Sequence, residues 1–231
     1  MRDFYHLIKQ VSKNLAFNKF ENKEDIIRIV KIAIERNFGG KLNAASKIGD
    51  FFMKRHRIEE IYPFIESTNV LDLIKMNLAD KDSRYLMLIC RSDVATFILE
   101  KHFEEAILER RTIVGSNLEN DLNKEQYGFR SLSDIILYIE KGISVILKDM
   151  DHIHSSLYDL FNQNFAKYED RRYCRIALGA LMNPKCFVHD NFHCIIFMND
   201  TDKALREADG PLMNRFEKHY LSLDSVLTPD D

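Results

Sequence analysis

The sequence has no apolar run that approaches the roughly 20 residues of a membrane helix, and its first residues carry charged and aromatic side chains instead of a signal-peptide core. The formal net charge of the 231 residues is only −3, and acidic and basic residues are interspersed. This composition carries no electrostatic signature of binding to nucleic acid or to an anionic membrane. We therefore expect neither partner, no transmembrane segment and a cytoplasmic location.

Cysteine is scarce and widely spaced, with no C-x-x-C pair of the zinc or redox kind. The four cysteines are Cys90, Cys174, Cys186 and Cys194. Cys174 and Cys186 could be grouped with His189 and His193 as a zinc site. However, the run 186–198 has strand character, so its successive side chains point in opposite directions and converge poorly on one ion. We expect reduced, buried thiols and no metal site.

The first third of the chain has apolar residues at helical spacing, which predicts a small all-α bundle. Helices are predicted at 2–15, 26–38, 44–54, 58–65 and 70–78, with Pro63 interrupting the fourth. The polar stretch 79–83 follows, and the character of the sequence changes after it. We therefore predict a domain boundary there, between residues 1–82 and residues 83–231.

Strands alternate with helices in the second part, the order typical of an α/β domain with a mostly parallel sheet. Strands are predicted at 85–90, 112–114, 143–147 and 192–198, helices at 93–103 and 131–140, and a hairpin from 173–178 and 185–188. The predicted fold is an α/β core preceded by a helical bundle.

Acidic residues follow the buried strand at 143–147. Asp149 and Asp151 come directly after it, at the strand end where ligands bind in open α/β sheets. A carboxylate there can hold Mg²⁺ or position a water for phosphate chemistry, as in a Walker B motif. His152 and His154 could suggest acid/base catalysis, but beside a loop such residues are more often exposed polar side chains. No G-x-S-x-G context supports a serine nucleophile.

A strand with acidic residues, a strand ending at Asn199 and the segment PLMNRFE at 211–217 follow one another in this chain. This order resembles the AAA+ ATPase core, in which Walker B, sensor 1 and an arginine finger occur in that sequence. The segments SLYDLFNQNF, VHDNFHCIIF and PLMNRFEKHYL, with RDFYHLIK and RNFGG nearer the start, resemble the mysterin family of giant AAA+ and RING-finger ubiquitin ligases.

The resemblance implies roles for three further residues. Asn199 takes the sensor 1 position, Arg215 the arginine-finger position, and Arg2 the sensor 2 position in the lid of a preceding module. The alternative for Asn199 is a residue that merely ends a strand. For Arg215 the alternative is a surface arginine paired with Glu217 or Asp209.

The departures from the AAA+ pattern imply a module that cannot bind nucleotide. The segment 89–96, where a Walker A loop would follow the first strand, has no glycine and no Lys-Ser/Thr pair, and Asp93 brings negative charge to the phosphate position. Aligning SSLYDLFNQNF with the superfamily puts Lys148 at the Mg²⁺-binding aspartate and Asp149 at the catalytic glutamate. Pairing Asp149 with Asp151 instead would break that alignment.

The resemblance therefore implies a non-catalytic AAA+ module. ATP, Mg²⁺ and ubiquitin transfer would belong to the parent protein, and the partners would be adjoining AAA+ modules of the same parent chain and, through the parent, the ubiquitin machinery. These residues hold neither a P-loop nor a RING-type Cys/His pattern. The chain opens in a lid-like helix and ends just past the finger-like segment, so we expect a fragment. The alternative is a free-standing protein-interaction module on a degenerate AAA+ fold.

Overall fold

The computed structural model describes residues 2–17, 22–40, 43–58, 61–90, 109–115, 124–179, 182–199 and 210–222. Four helices form the first part: α1 Arg2–Phe17, α2 Lys23–Phe38, α3 Ala44–His56 and α4 Val70–Ala79, with a 3-10 turn at Tyr62–Phe64. The Asn22 side chain caps α2 by accepting a hydrogen bond from the Asp25 amide at 2.9 Å. Pro63 reduces the helix predicted at 58–65 to the 3-10 turn, because proline breaks the helical hydrogen-bond pattern.

The second part contains the strands and the shorter helices. In chain order they are β1 Leu86–Cys90, β2 Arg110–Val114, α5 Lys124–Lys141, β3 Ser144–Lys148, a 3-10 helix Asp151–Leu157, α6 Tyr158–Phe161, β4 Ala166–Tyr168, β5 Arg171–Arg175, β6 Lys185–Val188, β7 Cys194–Asn199, α7 Gly210–Met213 and β8 Glu217–Leu221. The helix predicted at 93–103 lies outside the described residues.

Five of these strands form one parallel sheet in the order β2-β3-β7-β1-β8, and β4-β5-β6 form a small antiparallel sheet. Apolar runs such as LMLIC in β1 suit this sheet because both of its faces are covered. The predicted class is confirmed: an α/β core with a mostly parallel sheet, preceded by a helical region. Within the described ranges, no helix has both the length and the apolar character that crossing a membrane requires.

The two faces of the sheet pack against different helices. Met87 and Ile89 face α5, where Ile135 and Ile139 are fully buried. The other face packs against α4, where Ile74 lies in one cluster with strand residues of β1, β3 and β7. Helix α4 belongs to the first 82 residues and yet covers one face of the sheet. The division into two domains at residue 82 stays a prediction.

Buried charges join the helical region to the edge strand β8. The Arg36 guanidinium contacts both carboxylate oxygens of Glu217, at 2.8 and 2.9 Å. Arg84, two residues before β1, donates to Asp3 of α1 at 2.7 Å. All four side chains are almost wholly buried, so these pairs are shielded from solvent screening. The two parts of the chain therefore share an interface held by directional contacts.

Candidate functional site

The carboxyl edge of the parallel sheet carries two of the predicted site residues. Asn199 ends β7 opposite Cys90 at the end of β1, and β3 ends in Lys148 with Asp149 next in the chain. Asn199 is exposed and Asp149 is half-buried. The structure thus places both at the edge where the sequence predicts them. Residues 91–100, which include Asp93 and the predicted phosphate-loop position, lie outside the described residues.

The backbone of Asp149 is constrained by the neighbouring strand. Asp149 has a φ of 54°, in the left-handed region that few residues other than glycine adopt. Gly115, just after β2, donates its amide to the Lys148 carbonyl at 2.8 Å. A Cβ atom on Gly115 would lie 1.7 Å from the Asp149 carbonyl oxygen, so only glycine fits there. The close approach of β2 therefore helps to set the path of the chain at Asp149.

The residues after Asp149 differ from the expectation of exposed polar side chains. Asp151 and His152 are exposed, but His154 is buried, with Nδ1 3.5 Å from Asp151 Oδ1. Burial lowers the pKa of His154 against the opposing charge of Asp151, and its Nε2 has no hydrogen-bond partner in the described part of the chain. The expectation of an exposed His154 is wrong, because the ring packs edge-on against Phe161 inside the core.

The other two predicted site residues meet at the opposite, amino edge of the sheet. Arg215 lies just before β8, whose first residue pairs with Leu86 at the start of β1. Its Nε donates to Asn162 Oδ1 at 2.7 Å, and Arg2 Nη1 donates to the same oxygen at 2.7 Å. Arg2 Nη2 also donates to the Asn162 carbonyl at 3.0 Å. Two guanidinium groups from opposite ends of the sequence therefore share one neutral acceptor.

Positive charge is in excess around this pair. Burial, then Arg84 and Arg215, lower the pKa of Arg2, while Asp3 opposes them. Burial, Arg84 and Arg2 likewise lower the pKa of His6 to about 4. Burial is the larger cause of both shifts, and the neighbouring arginine charges add to it. The excess of arginines over Asp3 makes this a place where an anion would be attracted.

The Arg215 side chain is held in a defined orientation. Its Cζ lies 4.0 Å from the centroid of the Tyr158 ring, a cation–π contact. The Nη1 atom is buried and makes no hydrogen bond within the described part of the chain. The alternative in which Arg215 pairs with Glu217 is not what the structure has, since Arg36, Asn77 and His219 contact that carboxylate. Asp209, the other partner in that alternative, lies outside the described residues.

The four predicted site residues thus form two separate groups, with Asp149 and Asn199 at one edge and Arg2 and Arg215 at the other. Sequence reasoning missed Asn162, which brings the two arginines together. It lies within SLYDLFNQNF, a segment that carries the family resemblance, but nothing in its chemistry singles out an asparagine.

The cysteines and histidines considered for zinc are arranged differently from a metal site. Cys174 and Cys186 are direct partners across β5 and β6 and both are buried, which raises the pKa of each thiol to about 12. His189 accepts a hydrogen bond from the Asn191 amide at 3.1 Å. Among the residues that the structure describes, no group of three or more His, Cys, Asp or Glu side chains could hold a metal ion.

A five-stranded parallel sheet flanked by helices is the architecture expected of an AAA-type α/β module. The family model described as "RNF213 AAA domain" matches residues 75–227, and the chain belongs to this family. This match confirms the resemblance to the mysterin family that the sequence segments indicate.

Curated relatives match the chain over almost its whole length. It is 30% identical to the human E3 ubiquitin-protein ligase RNF213 over 98% of the chain, 31% identical to the mouse protein over 99%, and 29% identical to E3 ubiquitin-protein ligase rnf213-beta of Danio rerio over 99%. The chain spans 4% of the length of each of these relatives.

Proposed function

We propose that this chain is a nucleotide-incompetent AAA+ module of an RNF213-like ATPase and ubiquitin ligase, which serves the architecture of a ring of modules and offers Arg215 to a neighbouring module's nucleotide. The observation that carries the proposal is the sharing of Asn162 Oδ1 by Arg2 and Arg215, both at 2.7 Å. A free-standing interaction module would have no need to align two guanidinium groups on one oxygen.

The carboxyl edge of the sheet supports the first half of the proposal. A Walker B strand needs an acidic side chain at its end to hold Mg²⁺, and β3 ends in Lys148. The positive charge of a lysine repels a divalent cation, and Asp149 follows it as the first carboxylate after the strand. Together with a segment after β1 that has no glycine, this argues against nucleotide bound by this module itself.

The arginine pair supports the second half. Two half-buried guanidinium groups on one neutral oxygen repel each other, and a phosphate would relieve that repulsion through charge-assisted hydrogen bonds. Tyr158 and Asn162 already orient Arg215, so little side-chain entropy would be lost when it meets an anion.

Arg2 gives the direction of the contact. Under the resemblance, Arg2 belongs to the lid of the preceding module, while Arg215 belongs to the core of this one. Both would then reach the same nucleotide, bound in the preceding module at its border with this chain. The buried Arg36–Glu217 and Asp3–Arg84 pairs would keep that lid and this core in fixed relation.

The remaining parts of the proposal concern the parent protein. ATP, Mg²⁺ and ubiquitin transfer are assigned to regions outside this chain, adjoining AAA+ modules are its direct partners, and the ubiquitin machinery is reached through the parent. We propose a cytoplasmic location for the same assembly.

The test is the ATPase rate of a longer RNF213-type chain that contains this module and the preceding one. Arg215→Ala is expected to slow turnover by about tenfold or more, and Arg215→Lys to restore little, because a point charge lacks the bidentate fork. Arg55→Ala, which removes an exposed arginine from the end of α3, is the charge-matched control. An unchanged rate in Arg215→Ala, with the protein still folded, would exclude the finger role.

A further inference from the structure

The small antiparallel sheet β4-β5-β6 has one face buried and one face turned outward. Side chains alternate along each strand, and Cys174, Cys186 and Val188 of the inner face are almost completely buried. The strand register therefore fixes which residues share the outer face. The proposed function assigns no role to this three-stranded sheet.

The outer face combines aromatic and basic residues only, apart from Ala166. We name it the basic-aromatic face and define it by Tyr168, Arg171, Tyr173, Arg175, Lys185 and Phe187. Tyr168 lies opposite Arg171, Tyr173 lies opposite Phe187, and Arg175 lies opposite Lys185. An aromatic pair is thus flanked along the strands by basic residues on both sides.

The rings of this face are placed so that planar groups can stack on them. The Tyr173 and Phe187 centroids are 5.9 Å apart, and the Arg171 guanidinium carbon lies 5.7 Å from the Phe187 centroid. Tyr168 is 67% exposed, although it is large and aromatic. Aromatic side chains and guanidinium planes are the groups on which unpaired bases stack.

The charge of the face is positive although the whole chain is slightly acidic. Arg171, Arg175 and Lys185 are exposed. Arg175 pairs with Asp159 at 3.1 Å, yet its side chain remains 66% exposed. Glu169 and Asp170 are exposed in the turn between β4 and β5, next to Tyr168 and Arg171, and are the nearest acidic residues along these strands. The fold therefore collects positive charge that the net charge of −3 averages away.

We propose that the basic-aromatic face binds single-stranded nucleic acid, with bases stacked on Tyr168, Tyr173 and Phe187 and phosphates contacted by Arg171, Arg175 and Lys185. Charge complementarity calls for a polyanion, and the aromatic row calls for planar groups along it. An acidic peptide fits less well. Strand addition needs a long free edge, and β4 has only three residues.

The test is fluorescence anisotropy of the full chain with labelled oligothymidylate and oligouridylate of about 20 nucleotides, long enough to cover a site of this kind. Three phosphate contacts predict that log affinity falls with log salt with a slope of about −2. Removing two of them, in Arg171→Ala combined with Lys185→Ala, should weaken binding and reduce the slope to about −0.7. Tyr168→Ala should weaken binding by about fivefold or more without changing the slope.

The matched control is Lys54→Ala combined with Arg55→Ala, which removes two exposed charges from the end of α3. It should bind like the unaltered chain. Thermal unfolding followed by circular dichroism verifies that each variant is folded. Equal losses in the control and in the Arg171/Lys185 variant would overturn the proposal, as would equal affinity for a duplex of the same length. Tighter binding of an oligoglutamate peptide would identify the face as an acidic-peptide site instead, and the nucleic-acid proposal would fail.

Discussion

Arg36 and Glu217 lie 181 positions apart in the chain, yet they form a bidentate ion pair in which both side chains are almost fully buried. Glu217 also accepts a hydrogen bond from Asn77 Nδ2 at 2.9 Å, and its Oε1 lies 3.2 Å from His219 Nε2. The carboxylate is thus satisfied from α2, α4 and its own strand. This single side chain joins the helical region to the edge of the parallel sheet.

Glu217→Gln should destabilise the chain by about 3–5 kcal/mol, because it leaves the Arg36 charge buried without its counter-ion. Urea unfolding followed by circular dichroism measures the effect. Glu66→Gln makes the same chemical change at an exposed position and should alter the unfolding free energy by no more than about 0.5 kcal/mol. Similar stabilities of the two variants would show that the Arg36–Glu217 pair contributes little.

Below pH 4.5, the free energy of unfolding should fall as Glu217 becomes protonated. Its hydrogen bonds and the nearby Arg36 charge outweigh burial and lower the pKa of Glu217 from 4.5 to about 2. A carboxyl group with a depressed folded-state pKa stabilises the fold above its unfolded pKa, and this contribution is lost as pH falls. The stability gap between the unaltered chain and Glu217→Gln should therefore narrow from pH 4.5 towards pH 2.

The histidines act in a different pH window. The pKa of His6 is lowered from 6.5 to about 4, mainly by burial, so its protonation favours the unfolded chain as pH falls through that range. Both proteins in the comparison keep His6, so its effect cancels in the difference. A gap that stays constant down to pH 2.5 would assign the acid sensitivity to groups other than Glu217.

Gly40→Ala should destabilise the chain by about 1–3 kcal/mol through overpacking. A Cβ atom on Gly40 would lie 2.1 Å from Lys218 Cβ and 2.7 Å from the Lys218 carbonyl oxygen, and backbone cannot easily move away. Gly210→Ala is the control, since no atom of the described residues lies within 4 Å of its added Cβ. Thermal unfolding of both variants decides the question. Equal melting temperatures would mean that the contact between the residues after α2 and strand β8 is loose.

The isolated chain should show no saturable binding of Mg·ATP tighter than about 100 μM, equivalent to roughly −5.5 kcal/mol. Two features give the reason. Strand β3 ends in Lys148, and the segment after β1 has no glycines that could form a phosphate cradle. Isothermal titration calorimetry measures it directly. Lys148→Asp serves as a comparison, because restoring a carboxylate without the glycine loop should also leave ATP unbound.

The helices and the central strands were predictable because their apolar periodicity is strong. The helix predicted at 58–65 is the exception, since the structure has only a 3-10 turn at Tyr62–Phe64, where Pro63 lies. Strand β8 was not predicted. Its sequence EKHYL looks polar, and only the fold shows that Glu217, Lys218 and His219 are buried. Their burial depends on partners such as Arg36 and Asp3, which are remote in the chain and leave no local pattern.

The candidate site shows the same division between local and long-range information. Asp149 and Asn199 were located from strand ends, which are local features. The meeting of Arg2 and Arg215 on Asn162 depends on three distant segments, so the resemblance supplied the arginines but not their common acceptor. The burial of His154 was missed for a related reason, since a polar loop residue acquires its surroundings from Phe161 and the core around it.

The alkylation rate of the paired thiols Cys174 and Cys186 can report how often the small antiparallel sheet opens. With pKa values raised to about 12, both remain protonated at neutral pH and react slowly with alkylating reagents while the sheet is closed. Each modification event therefore requires a transient separation of β5 and β6 from the core, and the alkylation rate reports how often that happens. A nucleic acid bound to the basic-aromatic face, on the opposite side of these strands, would lower the alkylation rate without contacting either sulfur.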